Sequence, residues 1–184
     1  PDSKRIDGIL VPFRVEEAAN ALKETLRGHY ALKHISMAKA ELNDGQHLYA
    51  VNDLFIGQRS HVSARYRLCF KRKSEDQSSS GIIVSTGAGS TGWFRSVVTG
   101  AAGLVEAFAN DKKAHEAREK YRFDWESGDL YFSVREPFVS KVSSAAMVFG
   151  RIGAREHLEV ISHMPQNGVI FSDGIEMDYI EFNS

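Results

Sequence analysis

A single cysteine, Cys69, stands in the 184 residues, which excludes an intrachain disulfide. No apolar run is long enough to span a bilayer, and nothing resembles a secretory leader, so a cytoplasmic protein without a membrane partner is the expectation. Neither charge is in excess: 23 Lys and Arg face 24 Asp and Glu, a formal net charge of −1. That balance argues against nucleic acid and a polybasic membrane anchor, and favours a small polar ligand. The seven histidines, His29, His34, His47, His61, His115, His157 and His163, keep no zinc-ligand spacing with one another or with Cys69, so no metal site is expected. An initiator methionine is missing at Pro1-Asp2-Ser3, from which we expect that a segment preceded it.

A chain of this length buries a core without a metal or disulfide, as one domain or one domain with an appendage. Val15 to Leu26 sets Ala18, Ala19, Leu22 and Leu26 at helical spacing, with Glu16 and Glu17 early and Gly28 just beyond, the pattern of a short capped helix. The period then becomes two. Val62, Ala64, Tyr66, Leu68 and Phe70 alternate with polar neighbours, as in a strand with one wet face, and such strands are mostly antiparallel. Further strands are expected at His47–Ile56, Gly81–Ser85, Leu130–Val134, Ala146–Phe149, Leu158–Ile161, Val169–Ser172 and Met177–Phe182, with Asp173-Gly174 turning a terminal hairpin. The polar run from Lys73 to Ser79 has the composition of a turn. From Thr91 to Ala109, Trp93, Val97, Ala101, Leu104, Val105 and Phe108 recur at helical spacing, and Gly100 and Gly103 suit close packing on a sheet. Asp111 to Lys120 is charged and helix-prone, hence an exposed excursion.

The densest chemistry lies in Ser85-Thr86-Gly87-Ala88-Gly89-Ser90-Thr91-Gly92-Trp93, between the apolar run Gly81–Val84 and the second helix. Its glycines let backbone approach a ligand, and its hydroxyls stand beside the free N–H groups of a helix start. Gly87-x-Gly89-x-x-Gly92 matches the dinucleotide fingerprint literally, but no Lys-Ser or Lys-Thr follows it and no repeated βαβ unit surrounds it. Walker-type hydrolysis and a Rossmann sheet are therefore set aside, leaving a ligand loop or a packing turn. Asn52-Asp53 interrupts the apolar run from Tyr49 to Ile56. The carboxylate suits a ribose diol and the amide an adenine edge; a bulge whose polar side chains bond local backbone is the other reading. Arg135-Glu136-Pro137 offers a guanidinium to phosphate or an exposed local ion pair. Cys69 is read as a packing residue.

With these residues in order, the chain resembles the C-terminal domain of the ATP-dependent NAD kinases. The family pattern Asn-Glu, a spacer, then Asp-Gly-x-x-x-Ser-Thr-x-x-Gly-Ser-Thr-Ala-Tyr is met by Asn52-Asp53 and by Ser80-Gly81 running to Trp93. The likeness is nearest to the mitochondrial-type enzymes and their bacterial relatives, through Asn52–Gly57, the Ser-Ser-Gly at Ser79–Gly81, Trp93 and Phe132–Pro137. The resemblance implies a mainly β (α+β) fold, a multi-stranded antiparallel β-sandwich with a few flanking helices, with the whole chain, residues 1–184, as the substrate-binding domain. Asp2, Ile6, Asp7 and Gly8 resemble the crossover from an N-terminal Rossmann-like domain that holds a Gly-Gly-Asp-Gly motif and its catalytic aspartate. By the same resemblance NAD contacts fall on Asn52 at the adenine edge, Asp53 at the ribose hydroxyls, Thr91, Gly92 and Trp93 around the adenosine, and Ser96 nearby.

The activity implied is transfer of the γ-phosphoryl group of Mg-ATP to the ribose 2′-hydroxyl of NAD, giving NADP. Mg2+ enters with the nucleotide rather than in a site of this domain, the isolated domain is expected to be inactive, and a dimer or tetramer is expected. Three positions depart from the family pattern: Asp53 replaces Glu, Ser80 replaces Asp, and Gly87-Ala88 replaces Pro and a hydroxylated residue. Lipid or sugar kinases of the same superfamily, and a non-catalytic nucleotide-sensing module, remain as alternatives. The Asn52–Asp53 pair favours a nucleoside over a lipid.

Overall fold

Alternation of side chains governs how this chain is layered. The computed structural model describes residues 13–109, 113–174 and 177–183. In chain order the elements are α1 (Ala18–Leu26), β1 (Ala38–Glu41), β2 (His47–Ala50), β3 (Asp53–Gln58), β4 (Ala64–Phe70), β5 (Lys73–Ser79), β6 (Ile82–Ser85), α2 (Trp93–Ala109), α3 (Lys113–Lys120), β7 (Leu130–Val134), β8 (Phe149–Ile152), β9 (Glu159–Ser162), β10 (Gly168–Ser172) and β11 (Tyr179–Phe182). The chain divides at His34/Ile35 into two units. The described part of the first runs from Phe13 through a 3-10 turn, Val15–Glu17, into α1, whose end is capped where Gly28 turns to φ 80°. No residue of α1 is buried. Asp2, Ile6, Asp7 and Gly8 lie outside the described residues.

In the second unit, six strands form an antiparallel sheet in the order β11-β10-β3-β6-β7-β8. A three-stranded sheet, β5-β4-β9, and the β1–β2 pair complete an antiparallel sandwich. Leu54, Ile82, Val84, Phe132, Val134 and Ile170 from the larger sheet meet Ala64, Tyr66 and Leu68 of β4 and Ala38, Leu48 and Ala50 of β1 and β2 in one buried cluster. Burial of that apolar area is the main stabilising term. The opposite face of the large sheet presents Phe55, Ile83, Val169 and Phe171, with Val97 of α2 packed against them. Phe94, on the first turn of α2, stacks against Phe149 of β8 and meets the tilted ring of Tyr131 of β7.

Three expectations are corrected here. Lys73–Ser79 is a full strand, β5, and the turn is only Lys71-Arg72, both at positive φ. Its polar side chains form sandwich hydrogen bonds instead of solvated loop contacts: Ser79 Oγ pairs with the Tyr66 hydroxyl at 2.7 Å, and Gln77 donates to the Met147 carbonyl at 3.1 Å. The apolar stripe expected on α2 does not point inward as a whole. Phe94 and Ala102 are buried, whereas Leu104 and Phe108 are 62% and 87% exposed, because only the first turns of α2 lie on the sheet and its later half holds α3 through Glu106–Arg118. Gly100 accordingly faces open space rather than a strand. Finally, the strand expected at Ala146–Phe149 runs three residues later, and β1 carried no recognisable sequence signal. The charged helix α3 is the exposed excursion expected, with Ala114 its buried residue.

Candidate functional site

At one end of β3 the strand begins with an acid that is nearly out of water. Asp53 is 9% exposed and directly opposite Ser85 of β6. Burial pushes its carboxyl up to about 6; the nearby Ser85 hydroxyl opposes that rise, and the charge of Asp173 adds to it. Asp53 Oδ1 is buried without a hydrogen-bond partner, as is Oδ1 of Asn52. Among the described residues these are two of very few such atoms, and an unpaired buried acceptor is the usual mark of a group kept for a ligand or for strain.

The loop after β6 closes over this pair. Thr86 N–H donates to the Asn52 carbonyl at 2.9 Å, and Thr86 Oγ1 donates to the Val51 carbonyl at 2.5 Å while accepting Gly89 N–H at 3.1 Å. A Cβ on Gly89 would lie 2.1 Å from the Asn52 carbonyl oxygen, so only glycine permits this approach. Gly89–Thr91 forms a short 3-10 turn, and α2 starts at Trp93. A Cβ at Gly92 would stand 3.6 Å from Asp53 Oδ2, which places the backbone at the helix start beside the carboxylate. The fold thus brings Asn52, Asp53, Thr91 and Gly92 together. Trp93 adjoins them: it is 42% exposed, its ring centroid is 5.8 Å from that of Phe55, and Arg135 lies over it at 5.5 Å. Ser96 is exposed one turn further along α2, its N–H 3.4 Å from the Gly92 carbonyl.

Asp173 belongs to the site beyond its expected part as a turn residue. It sits after β10 at φ 52°, and its carboxylate accepts the N–H groups of Val51, Asn52 and Asp53 at 2.9, 2.5 and 3.2 Å. Its own N–H donates to the Asp53 carbonyl at 2.9 Å. Three donors on one carboxylate fix the backbone that carries Asn52 and Asp53. Sequence signals for this role were absent, since Asp173-Gly174 reads equally as a hairpin turn and the partners are more than a hundred residues away.

The other end of β6 is also polar. Ser80 Oγ donates to Glu136 at 2.5 Å, and Ser80 N–H to the Arg135 carbonyl at 2.9 Å. Arg135 therefore stacks on Trp93 and Glu136 turns to Ser80, in place of the local ion pair considered from sequence. Five strand steps from Ser80 to Ser85 amount to about 16 Å. Between the two polar ends lie Phe55, Ile83 and Trp93. Among the described residues no group of three His, Cys, Asp or Glu is placed to hold a metal ion, and no helix is long and apolar enough to cross a membrane.

No protein-family model matches the chain, and no curated protein matches it in sequence. Solved structures do match. An NAD kinase from Archaeoglobus fulgidus in complex with ATP is 15% identical, with a TM-score of 0.55, covering 92% of this chain and 55% of that one. Yeast NADH kinase complexed with NADH is 15% identical, with a TM-score of 0.46, over 89% of this chain and 39% of that one. The chain therefore spans about half the length of the archaeal enzyme, and its fold is that of an NAD kinase-like β-sandwich domain.

Proposed function

We propose that this chain is the substrate-binding domain of a kinase that phosphorylates the adenosine ribose of NAD or NADH. The observation that carries the reading is the buried carboxylate of Asp53, with an unpaired oxygen, at the glycine start of α2. A ribose diol supplies the donors that such an oxygen lacks, and the glycine leaves room for a sugar against the backbone. Asn52 Oδ1, likewise unpaired, accepts from the amino group of adenine. Trp93 and Phe55 offer a planar surface to a base, and Arg135, beside them, offers its guanidinium to a phosphate. At the far end Glu136, held by Ser80, restores a carboxylate where the family pattern has aspartate. The likeness in fold to an NAD kinase supports the same reading.

This domain positions its substrate, and phosphoryl transfer depends largely on position and charge. Mg2+ arrives with ATP as part of the substrate. The base that takes the proton of the 2′-hydroxyl is assigned to a Gly-Gly-Asp-Gly domain outside these residues, in an enzyme that assembles as a dimer or tetramer. The test is a titration with NAD and NADH, followed by an ATP-dependent NADP(H) assay on this chain joined to such a domain. Saturable binding lost in Asp53→Ala, with turnover only in the joined protein, is the expected result. Turnover by this chain alone would refute the domain assignment, and binding unaffected by Asp53→Ala would remove the site.

A further inference from the structure

The tip of the β4–β5 hairpin is built from residues that such a turn disfavours. A two-residue turn with both central residues at positive φ selects Asn-Gly or Asp-Gly, since other side chains meet steric conflict there. This tip carries Lys71 at φ 48° and Arg72 at φ 63°, with Lys73 following. Backbone held in that region persists where the surroundings over-determine it, and such positions cluster at binding sites. Across from the tip lies the loop between β8 and β9, and the two flank an open concavity of about 530 Å³, within the size range of small-ligand sites.

The two walls are joined from inside. Lys71 Nζ lies 3.2 Å from Glu156 Oε2, and the same carboxylate accepts the Gly153 N–H at 2.9 Å. The second acid, Glu159, stands against Cys69, whose thiol is raised first by burial and then by that charge. Beside these two acids, Arg72, Lys73 and Arg155 line the cavity and form no ion pair among the described residues. That is unlike Arg67, Arg151 and Arg59, each of which meets a carboxylate. Four cations, Lys71 included, thus face two acids around one concavity, and an anion of matching size balances that excess of positive charge.

We propose that this cavity binds a small polyphosphate anion, a phosphoanhydride chain gripped by Arg72, Lys73 and Arg155. Its concavity and the chain's net charge of −1 favour a compact anion over a nucleic-acid strand. The site is separate from Asp53. The β8–β9 loop follows a strand three places from β3 in the sheet, about 14 Å away at the usual strand spacing.

Calorimetric titration of the chain with sodium triphosphate tests the proposal. Saturable binding is expected, weakened roughly tenfold or more by Arg72→Ala with Arg155→Ala, and unchanged in Asp53→Asn. Arg72→Gly supplies a second reading, because it relieves the turn: its unfolding midpoint should rise while triphosphate affinity falls. A tip with only a structural role would gain stability and leave binding untouched. Absence of saturable binding in the parent chain, equal affinity in the double variant, or tighter binding of a short oligonucleotide than of triphosphate would each overturn the proposal.

Discussion

Asp173 reaches back 121 residues to accept the backbone N–H of Asn52 at 2.5 Å. The turn after β10 thereby holds the start of β3 by side-chain chemistry as well as through the sheet. Removing the acceptor leaves three N–H groups without their partner, and a hydrogen bond to a charged group contributes about 1.5–3 kcal/mol. Asp173→Ala should therefore destabilise the chain by at least that much in urea unfolding, and Asp173→Asn, which keeps one acceptor oxygen, by less. Equal losses in the two variants would mean that the carboxylate charge matters and its geometry does not.

Asp53 makes stability depend on pH in a defined direction. Its carboxyl ionises near 3.8 when unfolded and at about 6 when folded, burial being the main cause. Between those values the folded chain binds the extra proton, so stability falls as pH rises from about 4 to about 6 and is level above. A separation of about two units corresponds to roughly 2–3 kcal/mol, favourable in full below pH 4 and lost above pH 6. Unfolding midpoints of the parent and Asp53→Asn, measured across that window, should diverge by this amount. NAD binding should show the opposite slope and tighten toward pH 7, because the ribose donors need the charged form.

Trp93 is the optical handle on the site. Its half-exposed ring predicts a change in emission on titration with NAD, read cleanly in a Trp125→Phe background. Trp93→Phe should weaken NAD binding by about 0.5–1.5 kcal/mol, the contribution of an aromatic contact, with little change in Tm. A drop of several degrees with affinity intact would make Trp93 a structural residue.

Two glycines should answer in opposite directions. Gly89→Ala drives a methyl into the Asn52 carbonyl and should cost about 1–3 kcal/mol, as overpacking does. Gly100→Ala meets nothing within 4 Å and should gain about 0.5–1 kcal/mol from helix propensity. Thermal melts of the two variants give the comparison directly.

The strands of the sandwich were legible because β-branched and aromatic residues alternate with polar ones through β4, or run continuously where both faces are covered, as in β6. The Asn52–Asp53 pair was legible for the same reason, as polar residues where the pattern demanded apolar ones. β5 was not: Glu75, Gln77 and Ser79 carry loop composition, and only the ladder to β4, with side-chain bonds to Tyr66 and Met147, makes them a strand. The direction of α2 was equally hidden, since periodicity finds an apolar stripe without saying whether a sheet lies beneath it. Asp173 lay beyond reach because contacts spanning the whole chain leave no local pattern.

The two faces of the large sheet have a consequence for how this protein can vary. On β3, β6, β7 and β10 the even-numbered residues Leu54, Ile56, Ile82, Val84, Phe132, Val134 and Ile170 enter the sandwich core. The odd-numbered Asp53, Phe55, Ile83, Ser85, Tyr131, Val169 and Phe171 lie on the side of α2. The sandwich core and the layer beneath α2 are thus written in alternate letters of the same four words. Substitutions at odd positions therefore perturb the packing under α2 and leave the sandwich core in place, whereas a single-residue deletion inside any of these strands would exchange the two alphabets beyond it.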